Sequence, residues 1–130
     1  MKNEFILIYP MPPEELFKTI CEITPDFKNY WGKADNYFRN DEGLGTIHGI
    51  FAEYSGFIKT NIRNIEDKDM INLFNFVEKC INEEPNSESG ISNAVCTCFL
   101  ENLAGEGDLS NSILKYLGTK SKDYFKKYNS

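Results

Sequence analysis

The sequence predicts an all-α domain of six to seven helices, built as an irregular bundle or as stacked helical hairpins in the manner of an α-superhelix. Three observations predict it. Apolar residues recur at three- and four-residue spacing along nearly the whole chain. Capping and breaking residues punctuate that pattern. The intervals between periodic segments are short, which favours neighbouring helices packed antiparallel or at sharp angles. A hydrophobic content of 41%, with 14% aromatic residues, is enough to fill a core, so the chain reads as globular and not disordered. At 130 residues it reads as one domain spanning 1–130.

Phe5 to Tyr9 is the one ambiguous segment, a short strand or an extended arm lying on the core. Pro10, Pro12 and Pro13 make a stiff lead-in. Pro13 suits a first helical position, and Glu14 and Glu15 suit the positive end of the helix dipole. Leu16, Phe17, Ile20 and Ile23 follow at helical spacing. Thr24-Pro25 is expected to end this helix and open the next, as an N-cap followed by a first-turn proline. The second helix is expected from Pro25 to Arg39, with Phe27, Tyr30, Trp31, Ala34, Tyr37 and Phe38 as a wide aromatic face. The acidic, glycine-bearing stretch Asn40 to Gly45 is a loop suited to recognition.

Thr46 is placed to cap a third helix running to about Asn64. Ile47, Ile50, Phe51, Tyr54, Phe57, Ile58 and Ile62 line one side, and Gly49, Ala52 and Gly56 the other. An interior glycine costs about 1 kcal/mol relative to alanine, and the usual return is close approach of another helix. This helix therefore reads as packed on both sides. A fourth helix is expected from Asp67 to Asn82, with Met70, Ile71, Leu73, Phe74, Val77 and Ile81 as its core face. Glu83 to Gly90 is a second acidic loop.

Ser92 to Glu106 reads as a fifth helix, apolar around most of its circumference and therefore surrounded by others. Its polar residues form a narrow strip of Asn93, Thr97 and Glu101. That strip is either its solvent-facing seam or a row of polar anchors for a partner. Asn102 falls within the apolar side, as a buried hydrogen-bonding residue or part of a frayed last turn. Asp108 or Ser110 opens a short sixth helix with Ile113, Leu114 and Leu117, stopped at Gly118. Thr119 or Ser121 opens the last, with Tyr124, Phe125 and Tyr128.

The net charge is −6, and it is unevenly placed. Five lysines against Asp123 give residues 115–130 a charge of +4, which leaves −10 for residues 1–114. An acidic body of this kind repels nucleic acid and anionic membrane surfaces and attracts basic partners. The lysines of the tail could bind phosphate, but they also suit the negative ends of the last helices. No secretory signal and no membrane-length apolar span is read, so a cytoplasmic location with reduced thiols is expected. Cys96-Thr-Cys98 lacks the spacing of redox or zinc pairs. On a helix its two thiols diverge by about 200°, and both read as small hydrophobes.

No motif fixes a chemistry. His48 is the only histidine, with no acidic partner one helical turn away, and it reads as structural. Neither a nucleophile elbow, nor zinc-ligand spacing, nor a phosphate-binding glycine loop is present, so no metal and no cofactor is expected. Glu53 and Glu101, on otherwise packed helices, would make a general acid–base pair only if the fold joined them. The expectation is that each reaches solvent or caps a helix end.

Four segments carry a family likeness: MPPEELFKTICEITPDFKNYW, DNYFRNDEGLGTIHGIFAEYSGF, SNAVCTCFLENLAGE and LGTKSKDYF. Together they resemble a family of small, uncharacterised bacterial helical proteins, a domain of unknown function, over nearly the whole chain. Its members look like the immunity proteins of polymorphic-toxin and contact-dependent growth-inhibition systems. The likeness brings no catalytic residue with it. It implies a non-catalytic protein that binds and neutralises a cognate toxin by occluding its active or substrate-binding surface. The acidic body fits a basic toxin, with Asp41, Glu42, Glu83, Glu84 and Glu88 as the contacts the loops would supply. The alternatives are a helical adaptor that binds peptides or proteins, and a small enzyme with a Glu or His site in an internal groove.

Overall fold

The computed structural model describes residues 12–33, 46–83, 90–105 and 107–128. Among the described residues all regular structure is helical, in seven helices with no strand. The Phe5–Tyr9 arm, the Asn40–Gly45 loop and the second half of the expected second helix lie outside them.

Helix α1 spans Pro13–Ile23, with proline in its first turn and Leu16, Ile20 and Ile23 buried. Thr24 closes it. Both the Thr24 N–H and its hydroxyl donate to the carbonyl of Ile20, at 2.8 and 3.0 Å. The same hydroxyl oxygen lies 2.9 Å from the hydroxyl of buried Tyr54. Thr24 was expected to cap the next helix, but its side chain is spent on α1 and on Tyr54. Helix α2 begins later than expected and is described over Phe27–Lys33.

Helix α3 spans Ile47–Asn61 and starts as the sequence predicts, with the Thr46 hydroxyl accepting from the Gly49 N–H at 3.0 Å. A 3-10 turn, Ile62–Asn64, follows it. The helix is packed on both sides. A Cβ added at Gly56 would lie 2.8 Å from the hydroxyl oxygen of Tyr30, so the glycine admits the α2 aromatic cluster. In that cluster Phe27 stands 5.0 Å from Tyr54, and Tyr30 and Trp31 stand 5.5 Å from Phe57 and Phe17 respectively.

Helix α4 spans Asp67–Glu83. Met70, Leu73, Phe74, Val77 and Ile81 are buried as expected, but Ile71 is 45% exposed and Phe76 is fully buried instead. At 100° per residue both sit off the centre of the face, on opposite flanks. Tertiary cover falls on the Phe76 side, which local periodicity does not reveal.

Helix α5 is continuous in three parts: Ile91–Ala94, a π-helical stretch Val95–Leu100, and Glu101–Leu103. It is the centre of the core. Phe99 is fully buried, with ring centroids 5.3 Å from Tyr54, 6.0 Å from Phe51 and 6.1 Å from Phe74. The π stretch corrects the expected register. One wide turn sets all later residues back by about 100° relative to an unbroken α-helix. Asn102, which an unbroken helix would place within the apolar face, is exposed, as is Glu101, while Leu103 stays buried. Gly105, at φ 78°, ends the segment in a conformation that glycine adopts without steric cost. Helix α6 spans Asp108–Ile113 and tightens into a 3-10 turn, Leu114–Tyr116. Helix α7 spans Thr119–Tyr128.

Candidate functional site

The polar strip of α5 is divided among its neighbours. Asn93 is half-buried, and its Oδ1 lies 3.1 Å from Nε2 of His48 on α3. Where that contact is a hydrogen bond to the amide oxygen, the imidazole proton sits on Nε2. The Thr97 hydroxyl donates to the carbonyl of Asn93 at 2.9 Å. Glu101 is exposed and accepts from the Tyr124 hydroxyl of α7 at 3.3 Å. Further along, the Asn102 amide donates to the carbonyl of Cys98 at 2.6 Å and to the Ser55 hydroxyl at 3.3 Å.

The contacts His48–Asn93 and Ser55–Asn102 make α3 and α5 parallel. His48 and Glu101 stand at opposite ends of the strip, about 12 Å apart along the helix axis at 1.5 Å per residue. The fold therefore does not converge them on one point.

The thiols behave as packing groups. Cys80 and Cys96 are buried, Cys21 and Cys98 half-buried, and none of the four forms a disulfide. Burial pushes the Cys96 thiol up to about 11 and also raises that of Cys21, the opposite of what a nucleophilic cysteine requires. Among the described residues no group of histidine, cysteine and carboxylate side chains converges as a metal site. No helix among them is long and apolar enough to cross a membrane.

One polar cluster is built across the chain. Glu78 of α4 accepts from the backbone N–H groups of Lys120 and Ser121, each at 3.0 Å, and from the Ser121 hydroxyl at 2.7 Å. Its carboxylate caps α7, replacing a cap from the local sequence. Burial would raise the Glu78 carboxyl, but these donors outweigh it and hold the group below the ordinary glutamate range. A Cβ at Gly118 would fall 2.6 Å from that carboxylate, so the glycine leaves the room that the cap occupies.

Of the acidic residues expected to meet a partner, Asp41, Glu42, Glu84 and Glu88 lie outside the described residues. Glu83 is the last residue of α4, and its side chain is outside the described set as well. Two recesses that the sequence did not indicate lie side by side around Ile65, which lines both.

The smaller, of about 50 Å³, sits at the α1–α2 junction. Asp26 and Asp69 line it with Thr24, Asn64 and the edge of Phe57. The larger is a cleft of about 350 Å³ between the Ile62–Asn64 turn, the start of α4 and the end of α6. Ile62, Ile65 and Met70 supply its apolar lining, and Arg63 and Lys115 its charge.

Tyr116 lines the cleft too, stacked on Phe74 at 6.2 Å and donating its hydroxyl to Asp67. That hydrogen bond is the main cause of a raised phenol pKa, so Tyr116 stays neutral. Lys115 Nζ lies 5.1 Å from the Tyr116 ring centroid. The segments that form the cleft are far apart in sequence, and no local pattern joins them.

A family model described as "Domain of unknown function (DUF7674)" matches residues 17–130. No curated protein and no solved structure matches the chain.

Proposed function

The chain belongs to the DUF7674 family, and from that premise we propose that it is a non-catalytic binding protein of the immunity type. In this reading it neutralises a basic bacterial toxin domain by covering the toxin's active or substrate-binding surface. The observation that carries the reading is the acidic recess at the α1–α2 junction, set in a body of charge −10 over residues 1–114. Asp26 and Asp69 have no cationic partner among the described residues, and exposed Glu22 lies nearby in sequence, as does Glu66, which stands 3.7 Å from Lys68 Nζ. The two carboxylates of the recess offer a site to the charged tip of a lysine or arginine of a partner. The net field would accelerate encounter with a basic protein and weaken with salt.

The test uses the toxin domain encoded beside this gene. Co-expression is expected to rescue growth, and the purified pair to bind with an affinity that falls as salt rises. Asp26→Asn with Asp69→Asn is expected to weaken binding by roughly tenfold, chiefly through association rate. A neighbouring gene without a toxin domain, or a toxin whose activity is unchanged by the protein, overturns the reading.

A further inference from the structure

The cleft beside the Ile62–Asn64 turn points to a second kind of ligand, independent of the immunity reading. We propose that it binds a small apolar monocarboxylate, with Arg63 and Lys115 on the carboxylate and Ile62, Ile65 and Met70 against the hydrocarbon.

Four features argue for this chemistry. The volume, about 350 Å³, falls at the low end of small-molecule sites, which span roughly 300–1,000 Å³. It suits a ligand of amino-acid size and is too small for a dinucleotide. The lining is divided, with an apolar side and two cations, so the ligand it matches is an amphipathic anion. Neither Arg63 nor Lys115 has an ion-pair partner among the described residues. A guanidinium left unpaired at the rim is a fork suited to a carboxylate. Lys115 is held near the cleft by the Tyr116 ring, whose own position is set by Phe74 and Asp67. This order before binding lowers the entropy cost of capture.

Charge selects among anions. Arg63 and Lys115 bring two positive charges, and Asp67, bonded to Tyr116, brings one negative. Within the cleft the sum is +1, and the carboxylates of Asp26 and Asp69 in the adjoining recess oppose a second negative charge, which favours a monocarboxylate over a phosphate dianion. Asn111, also at the cleft, offers an uncharged amide donor to a second oxygen or to an amide, while the Ser112 hydroxyl beside it is donated to the Asp108 carbonyl at 2.9 Å. Two sources share this chemistry: a free aliphatic or aromatic acid, and the C-terminal carboxylate of a peptide that ends in an apolar residue.

The experiment is an NMR titration of the ¹⁵N-labelled full chain. The probes are 3-phenylpropionate, 3-phenylpropionamide, the peptide Gly-Gly-Phe, its C-terminal amide, and inorganic phosphate. Saturable shifts are expected at Arg63, Ile65, Asn111 and Tyr116, with a Kd on the order of 1 mM or tighter for a ligand of this size. Each amide is expected to bind roughly tenfold more weakly than its acid. Arg63→Gln and Lys115→Gln are each expected to cost a similar factor. Both side chains are exposed, so the variants keep the fold, which their own spectra verify. Tighter binding of the free acid assigns the site to a small molecule, and tighter binding of the peptide assigns it to a chain end. The proposal is overturned if no acid shifts the cleft residues up to about 10 mM. It is also overturned if acid and amide bind alike, or if phosphate binds as well as the acid.

Discussion

Helix α5 and the Ile65 region use polar side chains in opposite ways. On α5, Asn93 meets His48, Thr97 turns back on a carbonyl, Asn102 reaches Ser55 and Glu101 takes the Tyr124 hydroxyl. Each contact ties the central helix to itself or to a neighbour. Around Ile65, by contrast, Asp26 and Asp69 stand on one side and Arg63 and Lys115 on the other, with no ion pair joining them among the described residues. Half-buried Asn93 and Thr97 need partners, because burying a polar group unpaired is costly, and exposed Glu101 and Asn102 use theirs to join α5 to α7 and α3. Charges in an open recess stay hydrated and carry no such demand. The difference teaches that the most conspicuous polar pattern in this sequence holds the fold, while the proposed recognition sites are assembled where separate segments meet.

That contrast is broken most severely at Phe99. Phe99→Ala is expected to cost about 3–5 kcal/mol in urea unfolding, since it empties the contact with Phe51, Tyr54 and Phe74. A loss under about 1 kcal/mol would show that α5 is not the packing centre.

A smaller effect is expected at Glu78, where polar groups also serve the fold. Glu78→Ala is expected to destabilise by about 1 kcal/mol at neutral pH, the usual cost of a lost helix cap. Its carboxyl is held below the ordinary glutamate range in the folded state. The contribution is therefore present above that range, near pH 4.3 in model peptides, and is lost as pH falls through the folded value. Unfolding curves of the two proteins should converge toward acid pH. A gap that stays constant down to acid pH contradicts the assignment of the carboxylate as the cap.

The parts of the fold that depend on local pattern were legible in the sequence. Pro13 with its following acids, the Thr46 cap and the apolar spacing of α3 and α4 locate those helices closely. What escaped the sequence was set by distant partners. Ile71 and Phe76 flank the same face, and only the tertiary cover distinguishes them. The cap of α7 comes from a residue 43 positions before Ser121. The π stretch at Val95–Leu100 has no local signature, yet it moves Asn102 out of the apolar face where regular helical spacing puts it. The strip Asn93, Thr97 and Glu101 was legible as polar. Its use was not, because its partners His48 and Tyr124 belong to other helices. The recesses around Ile65 were invisible for the same reason, since each joins segments that no periodicity connects.

The contrast itself is tested most directly by urea unfolding of Asn93→Ala and Arg63→Ala side by side with the parent protein. The account predicts that Asn93→Ala lowers stability by about 1 kcal/mol, because it leaves His48 without its partner. Arg63→Ala is predicted to stay within about 0.5 kcal/mol of the parent, as an exposed side chain that holds nothing in place. The reverse order, with Arg63→Ala clearly destabilising and Asn93→Ala neutral, would contradict the division between a structural strip and a recognition surface.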